Sequence, residues 1–206
     1  MIQARMPARF RARLLAGLPR VAGLLFAGFF GLGLADAVAQ NVVRWTTNYY
    51  SVTGATVREI RRSMNTSRPW RNRETIDAAT TWRVEWKFGL DTTGGGCRIS
   101  DVSTVTTITT TLPRYIPSTN ASAEVLQRWV KYFGALARHE AVHGEIGKAA
   151  GVEIQGALAA HSASDCPTLR HQVEAAANSI LTRRRREEKE MDVRTQHGGT
   201  EGARFP

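Results

Sequence analysis

The sequence predicts an α+β domain: an antiparallel β-sheet region over about residues 42–112, followed by a helical half. Three observations lead there. Period-two alternation and β-branched residues dominate as far as Leu112, and a 3.6-residue apolar repeat takes over from Ser122. Strands do not alternate with helices, as a parallel α/β sheet requires.

The elements follow in order. Val42 to Val52 is rich in Val, Thr, Tyr and Trp and suits a strand, which Thr53-Gly54 breaks. Thr56 to Met64 places Val57, Ile60, Arg61 and Met64 at helical spacing, with Thr56 as N-cap and Glu59 three residues on. Asn65 to Asn72 is a loop containing Pro69. Ala79 to Leu90 alternates: Trp82, Val84, Trp86 and Phe88 share one face, and Arg83, Glu85 and Lys87 lie between them. Gly94-Gly95-Gly96 makes a turn, and Cys97 to Leu112, dense in Val, Ile and Thr, reads as strand that Pro113 and Pro117 end.

Ser122 caps the next helix, whose apolar stripe runs through Leu126, Trp129, Val130, Phe133, Leu136 and Ala137 and continues through Ile146, Ala150, Ile154 and Leu158. Ser162 to Pro167 is a break, and a third helix is expected from Thr168 to about Glu190 with Leu169, Val173, Ala177 and Ile180 inward. Arg183 to Arg186, followed by Glu187, Glu188 and Glu190, reads as a solvated face with i,i+4 charge pairs. Asp192 to Pro206, with Gly198, Gly199 and Gly202, reads as coil.

The N-terminal stretch reads as a targeting segment. Arg5, Arg9, Arg11, Arg13 and Arg20 precede an apolar run from Val21 to Leu34 and a small-x-small Ala37-Val38-Ala39, the pattern of a signal peptide over residues 1–39. The run is short of the roughly 20 residues that span a bilayer. Residues 40–206 are then one domain, periplasmic or secreted, with no stable membrane span after cleavage. Removing five basic residues of 28 and one acidic residue of 18 leaves 23 against 17, a charge of +6, which serves solubility. No aromatic-plus-basic pattern accompanies it, so no nucleic-acid partner is expected. Cys97 and Cys166, an even pair in an exported chain, suggest one disulfide.

The chemistry is carried by His139-Glu140-Ala141-Val142-His143. Four residues on a helix bring the two imidazoles to one face, one turn apart, a spacing that suits a shared Zn²⁺. Glu140 then reaches a water at the metal as general base. Polar groups here interrupt an apolar stripe, where an unpaired buried polar group costs roughly 1–3 kcal/mol, and a metal would satisfy them. Gly134, Gly144, Gly147 and Gly151 each cost about 1 kcal/mol relative to Ala in a helix, so something must approach that backbone closely.

A site of this kind needs a third protein ligand. His161 and His171 read as surface residues, and Glu145 and Glu174 are weaker candidates. His197, beside Gly198 and Gly199 on a tight turn, is the leading choice, with Asp192 as alternative ligand or as the partner that orients an imidazole.

These residues, with the cysteine pair, Pro113-Arg114-Tyr115 and the Asp192-x-x-Thr195-x-His197-Gly198 tail, make the chain resemble the DUF922 family of predicted secreted zinc-dependent bacterial proteases. Members tend to have Tyr before the Asp and Gln near the end, where this chain has Met191 and Glu201. The resemblance implies a zincin-like active-site helix and a peptidase-like centre on His139, Glu140 and His143, with His197 as a further ligand. The expected activity is peptide-bond hydrolysis of a protein or peptide substrate, with Tyr115 or Arg194 donating to the oxyanion. A zinc-dependent peptidoglycan amidase and a non-catalytic exported metal-binding module are the competing expectations.

Overall fold

The computed structural model describes residues 40–70 and 76–206. The signal-peptide expectation falls on residues 1–39, outside the described residues. The described elements are β1 (Gln40–Gly54), α1 (Val57–Ser67), β2 (Ala79–Asp91), β3 (Cys97–Pro117), α2 (Ala123–Ala159), β4 (Ser162–Ala163), α3 (Cys166–Thr195) and a 3-10 turn, Gly199–Glu201. The architecture is α+β, as the patterning predicts.

The sheet has the order β1-β3-β2, with the two-residue β4 pairing to β3 at Cys97 and Arg98. β2 and β3 are an antiparallel hairpin, closed by the glycine turn, with Trp82 opposite Ile108 and Ala79 opposite Thr111. β1 departs from the expected antiparallel arrangement and lies parallel to β3, from Gln40↔Ser103 to Gly54↔Pro117. β1 ends beside Pro117 and β2 begins beside Thr111, at the same end of β3, so β1 and β3, which lies between them, both run opposite to β2 and are parallel to each other. β3 also runs through Pro113 rather than ending there. Its pairing with β2 stops at Thr111, so beyond that point only the side facing β1 still requires donors.

Local signals set the helix starts. Thr56 and Glu59 form a reciprocal capping box, and the Ser122 and Asp165 side chains accept from Val125 and Thr168 N–H. α2 crosses the sheet on glycines. A Cβ on Gly144 would lie 2.1 Å from the Trp45 ring, on Gly147 2.4 Å from Trp82, and on Gly151 2.1 Å from the Thr106 hydroxyl. The close approach demanded by Gly144, Gly147 and Gly151 is therefore to the sheet, whereas a Cβ on Gly134 would meet only Arg138 of its own helix, at 3.4 Å.

Two buried clusters result. One joins Ile146, Ala150, Ile154 and Leu158 of α2 to β2, β3 and α3; the other joins Trp129, Tyr132 and Leu136 of α2 to α1, the end of β1 and Phe205. Residues 139–143 lie on the same helix between them. The stripe is offset at its start: Val130 is exposed and Tyr132 is buried in its stead. The tail is not free coil. α3 extends to Thr195, and Ala203 and Phe205 are buried, held by Arg61, which donates to the Phe205 carbonyl and pairs with Asp77 at 2.7 Å.

The Cys97–Cys166 disulfide is formed, tying the start of β3 to the start of α3 across 69 residues. No helix among the described residues is long and apolar enough to cross a membrane.

Candidate metal centre

α2 and α3 form an antiparallel hairpin, and the site lies where their facing turns meet. His139 and His143 of α2 meet Asp192 and Glu188 of α3 in crossed order, as helices running in opposite directions require. All three His-Glu-His side chains are buried, at 3 %, 5 % and 6 % exposure for His139, Glu140 and His143.

Three atoms converge. Asp192 Oδ1 is 3.1 Å from His139 Nε2 and 3.1 Å from His143 Nε2, and the two Nε2 atoms are 3.3 Å apart. The other nitrogen of each ring faces a carboxylate: His139 Nδ1 is 3.1 Å from Glu201 Oε2, and His143 Nδ1 is 3.0 Å from Glu188 Oε1. Both nitrogens of each ring thus face a carboxylate; when the rings are neutral and their protons sit on Nδ1, toward Glu201 and Glu188, both Nε2 atoms turn lone pairs toward each other and toward Asp192 Oδ1. In that state the three atoms form a group that could hold a metal ion.

The ionisation of the groups has the same cause. The Asp192 hydrogen bond, helped by Glu201, raises the His139 pKa against burial. Burial works against the charged form of His143, yet hydrogen bonds to Asp192 and Glu188 outweigh it and raise that pKa to about 10. Burial would raise the Asp192 carboxyl, but the two imidazoles hold it well below the usual range. Burial raises Glu140, and His143 and His139 oppose it.

The Glu140 carboxylate is next to the trio without joining it. Its Oε2 has no hydrogen-bond partner among the described residues, while its backbone carbonyl accepts from the Thr80 hydroxyl at 3.1 Å, which anchors this turn to β2. The centre opens into a cleft of about 820 Å³ whose walls include Ala78, Thr80, Glu140, His197 and Arg204.

Of the two residues expected as third ligand, the structure brings Asp192, the alternative, up to the histidine pair, and not His197. His197 is 57 % exposed, and its Nδ1 is 3.6 Å from the other Asp192 oxygen. The reason is backbone geometry. Gln196, His197 and Gly198 all adopt left-handed φ values of 52°, 54° and 76°, which turn the chain off the helix axis while Asp192 is still within α3. Gly198 then passes His139 so closely that a Cβ would be 2.9 Å from its ring. The tail thus contributes Glu201 to His139 rather than His197 to the trio.

Other expected candidates lie elsewhere. The Tyr115 hydroxyl donates to the Gly54 carbonyl at 2.6 Å, Arg194 is exposed, Glu145 pairs with Lys148, and Glu174 and His171 are exposed. His161 is spent on the Ala157 carbonyl at 2.7 Å. Glu188 escaped the sequence reading because it stands in a charge run. The available signal was its i,i+4 spacing to Asp192, which mirrors that of His139 and His143.

The family model described as a bacterial protein of unknown function (DUF922) matches residues 47–198. The chain belongs to the DUF922 family. That match runs from the middle of β1 to the left-handed turn at Gly198, and so includes the His-Glu-His turn, the disulfide and Asp192, but not Glu201. No curated protein and no solved structure matches the chain.

Proposed function

We propose that this DUF922 protein is a zinc-dependent peptidase that hydrolyses peptide bonds. The observation that carries the reading is the spacing of the three convergent atoms. Ligands at about 2.0–2.1 Å around a tetrahedral centre are separated by roughly 3.3–3.4 Å. His139 Nε2, His143 Nε2 and Asp192 Oδ1 are 3.1 to 3.3 Å apart, and Glu201 and Glu188 stand at the two Nδ1 atoms, where they can take the ring protons when a metal holds Nε2. Two imidazoles and one carboxylate fit a divalent transition metal and leave a position free for water, as a catalytic site requires.

His139, His143 and Asp192 would hold the cation, which when bound supplies Lewis-acid polarisation and acidifies water. Glu140 supplies the base. Its buried carboxylate, with one oxygen unpartnered and its pKa raised, takes a proton from the attacking water and hands it to the amine as the C–N bond breaks. The Thr80 bond to the Glu140 carbonyl holds the turn so that this side chain faces the cleft.

A peptide is favoured over a peptidoglycan amide by the wall of the cleft. Among the described residues β2 has β3 as its sheet neighbour, and its first residues line the cleft. The open backbone of an edge strand suits an extended chain. The disulfide accords with an exported, oxidising location.

The test is metal analysis of purified residues 40–206, then cleavage assays on casein and on isolated sacculi. We expect stoichiometric zinc, chelator-sensitive casein cleavage, and a Glu140→Gln variant that keeps zinc while its rate falls by about 10²–10⁴. Cleavage of sacculi alone would favour the amidase, and zinc without turnover on either would favour a sequestering module.

A further inference from the structure

We propose that Glu188, braced by the Trp82 indole, is a positioning residue for His143, so that a strand of the sheet orients one of the metal-facing rings. The proposal rests on the metal reading above and adds to it two residues outside the His-Glu-His motif.

Glu188 Oε1 lies 3.0 Å from His143 Nδ1 and 3.2 Å from Trp82 Nε1. An indole N–H can only donate, so Trp82 fixes the direction of the carboxylate, and the same oxygen is left to accept the imidazole Nδ1–H. With that proton bound to Glu188, the lone pair of His143 is on Nε2, the atom that faces His139 and Asp192. Glu188 touches the trio only through the far nitrogen of His143. Among the described residues, the group of side chains close enough to share one ion consists of His139, His143 and Asp192.

The brace is rigid. The Glu188 side chain is 19 % exposed and Trp82 is 5 % exposed. The indole is wedged against α2 at Gly147, and the Arg185 guanidinium covers its ring at 4.6 Å from the centroid. The rest of the charge run has other partners: Arg183 and Arg184 pair with Glu153 of α2, Arg184 also with Glu187, and Arg186 with Glu190. The counterpart on His139 is Glu201, which is 50 % exposed and carried on the tail. The two rings are therefore held unequally, His143 by a half-buried carboxylate on a helix and His139 by a more exposed one on the tail.

The experiment measures zinc affinity by competition with a chromophoric chelator, and the visible absorption of the Co²⁺-loaded protein, first for residues 40–206 unaltered. Failure of that protein to bind either metal removes the metal reading and the proposal with it. Given wild-type binding, Glu188→Ala is expected to weaken zinc by about 10–100-fold and to change the Co²⁺ bands, as loss of an orienting partner does. Glu188→Gln, which keeps an oxygen but not the charge, falls between. Trp82→Phe weakens binding by a smaller factor, and adding it to Glu188→Ala produces no further loss. Far-UV circular dichroism establishes that each variant is folded; if Glu188→Ala is not, Glu188→Gln and Trp82→Phe carry the test. Folded Glu188 variants with wild-type zinc affinity and unchanged Co²⁺ bands overturn the positioning role, and independent, additive losses from Trp82→Phe and Glu188→Ala overturn the brace.

Discussion

Gly147 of α2 passes Trp82 of β2 so closely that a Cβ would lie 2.4 Å from the indole Cγ. Trp82 is 5 % exposed and fixed at its nitrogen by Glu188, so it has no room to retreat. Gly147→Ala should destabilise the fold by about 1–3 kcal/mol, the usual cost of overpacking a filled core. Gly144→Ala meets the Trp45 ring, which is 41 % exposed and tied by its indole N–H to the Thr110 hydroxyl at 3.3 Å, and should cost less because the ring borders solvent. Urea unfolding of both variants checks the order; a Gly147→Ala protein as stable as wild type would contradict the contact.

Asp192 and His197 make opposite predictions. Asp192→Ala removes one of the three convergent atoms and should reduce zinc affinity beyond the roughly 10–100-fold typical of an outer partner. His197→Ala leaves the trio whole and should retain zinc within a few-fold. Zinc titration of the two variants decides between them, and the reverse order would restore His197 as the ligand.

The metal-free protein should lose stability as the solution becomes alkaline. His143, whose pKa is raised to about 10, and His139, raised also, favour their protonated forms in the fold. Their stabilisation is fully present below the unfolded value of about 6.5 and is lost as pH rises toward 10. Glu140, raised by burial, acts in the same direction. Asp192, held low, stabilises above the ordinary carboxylate value and loses that effect only in acid. Denaturation midpoints with chelator present should therefore be higher near about pH 6 than near about pH 9. Zinc must displace the same protons, so its affinity should rise with pH across the neutral range, with proton release measurable by calorimetry in buffers of different ionisation enthalpy.

Reducing the Cys97–Cys166 bond opens a loop with a sequence separation of 69 residues that contains the whole of α2. Loop entropy assigns such a bridge about 3–5 kcal/mol. At roughly 2–4 °C per kcal/mol for a domain of this size, the melting temperature should fall by on the order of 10 °C in reductant and in a Cys97→Ser, Cys166→Ser protein. Equal melting temperatures would show that the helices hold the site without the bridge.

Much of this protein is legible residue by residue. The capping box at Thr56 and Glu59, the alternation of Trp82 and Val84, the cap at Ser122 and the i,i+4 histidines are short-range patterns, and the structure keeps each one. The cysteine pair needed no geometry, because two cysteines admit one pairing. What could not be read are relations between elements far apart in the chain. Glu188 is indistinguishable from Glu187 and Glu190 until the rotation of α3 against α2 is known, since which face of a charged helix meets a partner is decided by packing rather than by composition.

The sequence alone determined the α+β class, the helix that carries His139, Glu140 and His143, and the pair of cysteines, because local periodicity and residue chemistry suffice for each. Tertiary structure alone decided that β1 lies parallel to β3, that Gly144, Gly147 and Gly151 of α2 meet the sheet, and that Asp192 rather than His197 completes the trio. The physical reason is the same in all three cases. A side chain's partners depend on where the backbone has turned by the time it returns, and three left-handed residues after Thr195 are enough to carry His197 to the surface while Asp192, one helical turn earlier, stays aimed at the histidines.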